Sequence, residues 1–156
     1  MKRKIIILTL IFTLVFALSA CGAEKVEFLD IAALAGRGDE AVVTLLGEGE
    51  IQYVGETMLA REYNFKTLGR KCTASVIYKE DYVSEIALYF EDKNDAFSKL
   101  NVELWNYYAD PDGTVEGEDG SLNHMWVTEE NNAVALRKSV EGTVRVSVYA
   151  SGKAEQ

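Results

Sequence analysis

The chain has 156 residues, 48% hydrophobic and 26% charged, with 25 Asp+Glu against 16 Lys+Arg and a formal charge of −9 at pH 7. Such a balance belongs to a globular chain and excludes wholesale disorder. The acidity argues against nucleic acid or anionic lipid as a partner.

The first segment in chain order is a targeting signal. Lys2, Arg3 and Lys4 precede residues 5–18, an uncharged run interrupted only by Thr9 and Thr13, and then Leu18-Ser19-Ala20-Cys21. A basic start, a short apolar run and small residues at a cut site are the three parts of a secretory signal. The run falls short of the ~20 apolar residues of a spanning helix. The last four residues resemble the lipobox of bacterial lipoproteins, a resemblance confined to residues 1–22. It implies cleavage between Ala20 and Cys21, lipidation of the Cys21 thiol, and an address on the extracytoplasmic side of a bacterial membrane, either the cell membrane or an outer membrane. Gly22 stands where the family uses Asp for inner-membrane retention. A diacylglyceryl group supplies two chains, enough for stable anchoring.

Removing residues 1–20 leaves 136 residues, the size of one domain. Losing Lys2, Arg3 and Lys4 leaves 13 basic against 25 acidic residues, a formal charge of −12. If Cys21 is lipidated, Cys72 is a lone thiol, and its setting in an apolar stretch reads as a buried small residue. The expected organisation is a lipidated cysteine and tether over 21–27, one α+β domain over 28–150 and a frayed tail over 151–156.

Within the domain, residues 28–35 predict a helix stopped by Gly36. Asp39 is the expected N-cap of a second helix, 40–46, ended by Gly47. Residues 48–57 read as a loop. Alternation then predicts strands at 59–66, 72–78 and 83–90. Asn94 or Asp95 is placed to cap a helix over 96–108, with Phe97, Leu100, Leu104 and Tyr108 at helical spacing. Pro111 stops it, residues 110–120 form an acidic loop, and strands follow at 122–128, 133–138 and 143–150.

The order is therefore αα-βββ-α-βββ: an antiparallel sheet with helices on one face, hence α+β. Halves 28–92 and 93–150 fit either a tandem duplication or common packing demands. In layout this is similar to the tandem repeat of β-lactamase-inhibitory-protein-like domains and to small outer-membrane assembly lipoproteins. The stretch Leu34-Ala35-Gly36 through Asp39-Glu40 to Leu45-Leu46-Gly47 is the best local part of the likeness. The resemblance implies binding to other proteins and assigns no residue a role.

No chemistry-bearing motif stands out. The acidic loop fails as a calcium loop: Thr114 takes the third ligand position, Val115 the sixth position, where glycine is required, and Ser121 the twelfth. His124 is the lone histidine, and no zinc or nucleophile motif accompanies it. No cofactor and no metal are expected. The candidate interaction face is on the second half of the sheet. If Val144, Val146 and Val148 face the helices, Arg145 and Tyr149 face away, Arg137 joins them, and His124 and Trp126 share one register beside them. Aromatics with arginines on an open face suit a protein interface. That reading requires a partly exposed Trp126. The expected function is a non-enzymatic, membrane-anchored binding lipoprotein whose partner is an envelope protein; the alternative is a small envelope enzyme or ligand-binding protein.

Overall fold

In the computed structural model residues 24–54, 56–93 and 95–154 are described; Ala20, Cys21 and Asn94 lie outside them. The helices are α1 (Phe28–Ala32), α2 (Asp39–Leu46) and α3 (Ala96–Tyr108). The strands are β1 (Glu50–Val54), β2 (Thr57–Thr67), β3 (Arg70–Lys79), β4 (Tyr82–Phe90), β5 (Gly113–Glu116), β6 (Leu122–Val127), β7 (Ala133–Lys138) and β8 (Val144–Tyr149). They form one eight-stranded sheet in the order β1-β2-β3-β4-β8-β7-β6-β5, every neighbouring pair antiparallel. The protein is thus α+β, with each run of strands one longer than the alternation predicts. The two additional strands, β1 and β5, are the sheet's edges.

Each run is a meander, and the two join where β4 pairs with β8. Ile86 stands opposite Val148, Leu88 opposite Val146 and Phe90 opposite Val144. All six are buried. Alternate strand residues from both meanders form one core with Phe28 and Ile31 of α1, Val42 of α2, and Phe97, Leu100 and Leu104 of α3. Each such large side chain contributes on the order of 1.5–3 kcal/mol by leaving water.

The first helix is shorter than its sequence suggests, the second runs one residue longer, and both are firmly tied. α1 ends at Ala32, and a turn carries Leu34 and Ala35 into the core. At Gly36 the backbone takes φ +81°, and a Cβ there would meet the Gly152 carbonyl oxygen at 2.7 Å. Its N–H donates to the Val83 carbonyl (2.9 Å), and its own carbonyl accepts from the Ala154 N–H (2.9 Å). The described part of the tail is therefore pinned, not frayed. Ser151 N–H also donates to Asn132 Oδ1 (3.1 Å), and Lys153 pairs with Asp81. The described part of the tether is likewise docked: Lys66 N–H donates to the Glu24 carbonyl and Val26 N–H to the Lys66 carbonyl, both at 2.9 Å.

Of the expected caps, Asp95 holds the N-cap position of α3 and Asp39 does not cap α2, because stronger partners take its side chain. Asp39 is the first residue of α2, not its cap; Gly38 holds that place. The Asp39 carboxylate instead receives a two-pronged bond from Arg61 of β2, Nε to Oδ1 and Nη2 to Oδ2, each 2.7 Å. Tyr78 of β3 donates its hydroxyl to Oδ1 (2.7 Å). Arg61 also donates to the Glu48 carbonyl. Its side chain is only 6% exposed and points into the core side of the sheet. Asp95 adopts φ +55° ahead of α3 and makes no side-chain cap bond.

Arg61 holds the Asp39 carboxyl below the usual carboxylate range, and the Tyr78 hydroxyl adds to this. A depressed carboxyl stabilises the fold fully above its unfolded pKa, about 3.9, and that stability is lost as pH falls through the folded value. Arg61→Ala strands Asp39 and is expected to cost about 2–3 kcal/mol at pH 7, read as a lower urea midpoint. Asp39→Asn should also destabilise at pH 7 and should lose less further stability than wild type between pH 5 and pH 2. Parallel losses in the two proteins on acidification would contradict the pairing.

Candidate functional site

Register fixes which side chains share a face. One row runs Asn123, Arg137, Arg145, Tyr89, Thr73 and Asn64 across β6, β7, β8, β4, β3 and β2. The adjoining row places Met125, Ala135, Ser147, Ala87 and Ser75 side by side. Both rows lie opposite the core face. Arg145 organises them: it pairs with Glu85, donates from Nε to Ser147 Oγ (2.8 Å), and sets its guanidinium carbon 5.4 Å from the Tyr89 ring centre. Small residues beneath make room for this. Ala135, Ser147 and Ala87 are buried at 0% exposure, under the long side chains around them.

Arg137 donates from Nε to Asn123 Oδ1 (3.3 Å). With Tyr89, Arg145 and Val115 it frames a recess of about 600 Å³. Tyr89, Met125 and Val127 are 37%, 40% and 55% exposed, so apolar surface borders the cations. A guanidinium over an aromatic ring gains about 0.5–1 kcal/mol at an exposed site. Its remaining N–H groups suit carboxylate or carbonyl acceptors.

Three of the five expected interface residues, Arg137, Arg145 and Tyr149, lie on this face. His124 and Trp126 do not. β6 pairs His124 with Leu136 and Trp126 with Val134, which are core positions. The Trp126 indole is 1% exposed and donates to the Ala109 carbonyl (3.0 Å), closing the end of α3. His124 Nδ1–H donates to Asn101 Oδ1 (2.7 Å), and its ring meets Phe97 edge-on at 5.1 Å. Burial holds its pKa below the ordinary value. The interface as read from sequence required a partly exposed Trp126 and therefore fails in that form; Arg137, Arg145 and Tyr149 remain on the open face, joined by Tyr89. β6 carries bulky residues on both faces, so alternation alone could not orient it. Tyr89 was open to detection, since Ile86, Leu88 and Phe90 already pointed the other way.

Cys72 and His124 sit four strands apart in the sheet, about 19 Å at ordinary strand spacing. They form no dyad. Cys72 is buried, and burial pushes its thiol up to about 12. No group of three or more His, Cys, Asp or Glu is placed to hold a metal ion among the described residues.

A second concavity of about 680 Å³ lies among α1, the end of α3, the β6–β7 turn and the chain's last described residues. Tyr107, Tyr108, Glu129, Glu130 and Arg37 line it above an alanine-rich floor. Burial and the Glu130 charge push the Tyr108 hydroxyl up to about 12. It offers phenols, carboxylates and a guanidinium, and neither thiol nor imidazole.

No family model matches the chain. Its similarity to the 3D-(3,5/4)-trihydroxycyclohexane-1,2-dione hydrolase of Geobacillus thermodenitrificans is 31% identity over 123 residues, covering 70% of this chain. The chain spans about a fifth of that protein's length, 19%. Among solved structures it is similar to a DUF4309 family protein (YjgB) from Bacillus subtilis, at 12% identity and a TM-score of 0.48, over 73% of this chain and 78% of that one. These similarities assign no activity to the sites above.

Two solution measurements check the arrangement. With Trp105→Phe, emission comes from Trp126 and should be blue-shifted and resistant to iodide. With Trp126→Phe, the half-exposed Trp105 should emit to the red and be quenched. Cys72 should ignore a disulfide reagent at pH 8 until the protein is unfolded; rapid reaction in the folded state would contradict its burial.

Proposed function

We propose that this protein is a membrane-anchored extracytoplasmic lipoprotein, lipidated at Cys21, whose α+β domain is a non-enzymatic module for binding another envelope protein. The observation that carries the binding reading is the face built around Arg145, Tyr89 and Arg137, which joins an exposed and a half-buried arginine to apolar surface. Such mixed surfaces serve recognition, with aromatic and arginine side chains as anchors. In this reading the helices keep to the other face and leave this one to the partner. The two halves are a tandem duplication, each a helical element followed by a four-stranded meander, joined through their last strands.

The alternative is a small envelope enzyme or ligand-binding protein, favoured by the concavity at Tyr107 and Tyr108. Photo-activatable residues placed one at a time in the full lipoprotein separate the two readings. Asn123 and Met125 report on the arginine face, Ser98 and Glu103 on the outer side of α3. Binding through the sheet predicts one discrete protein adduct from the first pair and none from the second. Adducts from α3 alone, or from neither, would sink the binding reading. An envelope-directed activity abolished by Tyr108→Phe would support the alternative.

A further inference from the structure

Within this acidic chain one turn is purely basic. The β2–β3 hairpin turns through Leu68 and Gly69, both at positive φ, and its sequence Lys66-Thr67-Leu68-Gly69-Arg70-Lys71 holds three cations and no acid. Lys66 stands directly opposite Lys71 in the β2–β3 register. On the other side of β2, Lys25 is bridged to Lys66. Three lysines thus lie side by side on three neighbouring strand segments, about 4.8 Å apart. Like charges directly opposite one another destabilise a sheet. Lys25 has Glu27 as an ion-pair partner. Among the described residues Lys66 and Lys71 have none. Glu91, which borders the same end of β3, is taken by Lys93.

Glu24 and Glu27 flank Lys25, and Glu50 faces Glu62 further along β1 and β2; a second group of acids lies far from the turn. Glu116, Glu118 and Asp119 are exposed at the β5–β6 turn, on the far edge of the sheet. Six strand spacings, about 29 Å, separate β2 from β5.

The bridge at Lys66 also shows where the chain comes from. Glu24 and Val26 bond to Lys66, so the segment leading back to Cys21 enters at the basic edge. Four residue steps separate Cys21 from Lys25, a maximum span of about 14 Å. A lipid at Cys21 must therefore hold Lys25 within about 14 Å of the bilayer, between one and two Debye lengths at physiological salt.

We propose that the lysine row Lys25–Lys66–Lys71, with the β2–β3 turn, is a docking surface for the anionic headgroups of the membrane that holds the protein. This rests on the lipid anchor at Cys21. The two chains supply attachment, and the row supplies orientation: the basic edge faces the lipid, and the acidic β5–β6 edge is repelled from it. The acids of the β5–β6 turn lie beyond the screening distance, so the local balance at this edge decides the contact: Lys66, Arg70 and Lys71 at the turn, with Lys25 offset by Glu27.

The test uses the mature lipoprotein in phosphatidylcholine vesicles with and without phosphatidylglycerol. A water-soluble amine-acylating reagent is applied and each lysine read by mass spectrometry. Lys25, Lys66 and Lys71 should react several-fold more slowly when phosphatidylglycerol is present, while Lys79 and Lys99 stay unchanged. High salt should erase the difference, and in a Lys66→Glu/Lys71→Glu variant Lys25 should lose its protection. Equal reactivity on both vesicles, with the protein still floating with them, overturns the docking surface and leaves the anchor standing. Protein that floats with neither vesicle removes the anchor, and this proposal with it.

Discussion

The pairing of β4 with β8 is the constraint on which the rest of the structure depends. It is the single seam between two four-stranded meanders, and it works on both sides at once. Toward the core, Ile86, Leu88 and Phe90 meet Val148, Val146 and Val144. Branched and aromatic pairs of this kind are the unit of sheet stabilisation. Toward the other face, the same register sets Tyr89 opposite Arg145, whose side chain reaches along the sheet to pair with Glu85. A slip of one residue would exchange the two faces, burying Arg145 and exposing the valines. The packing that specifies the fold therefore also specifies the candidate interface.

A second polar contact does comparable work for the first meander. Arg61 lies on the core side of β2, where an unpaired guanidinium would be very costly. Asp39 at the start of α2, Tyr78 on β3 and the Glu48 carbonyl satisfy it. The helical hairpin is thereby latched to the sheet by a charge and by Val42, Ile31 and Phe28 in the core. Gly36 extends the latch to β4 and to the end of the chain through backbone bonds.

The three helices and six inner strands were legible in the sequence because buried strands alternate and α3 places Phe97, Leu100 and Leu104 at helical spacing. The two edge strands were not. β5 is Gly113-Thr114-Val115-Glu116, exposed along most of its length, and it pairs on one side only. Edge positions need little apolar surface, so their alternation fades. The candidate site divided in the same way. Arg137, Arg145 and Tyr149 followed from the valines of β8, whereas His124 and Trp126 were assigned to the wrong face. Arg61 resembles any exposed strand arginine until Asp39 is brought to it. The lysine row could not be read at all without register, since Lys25, Lys66 and Lys71 meet only through pairing.

Anchor, seam and faces form one arrangement. The N-terminal segment enters beside the end of β2, the seam sits at the centre of the sheet, and the arginine face lies beyond it toward β6. In the proposed function Cys21 carries the most weight, since a domain held by a lipid there would work at a membrane surface and a released one would not. Intact-mass measurement of the protein purified from its own membranes tests this most directly. The account predicts a chain beginning at Cys21 with the added mass of a diacylglyceryl group on that residue. A chain that keeps residues 1–20, or one cut elsewhere and free of lipid, would contradict it.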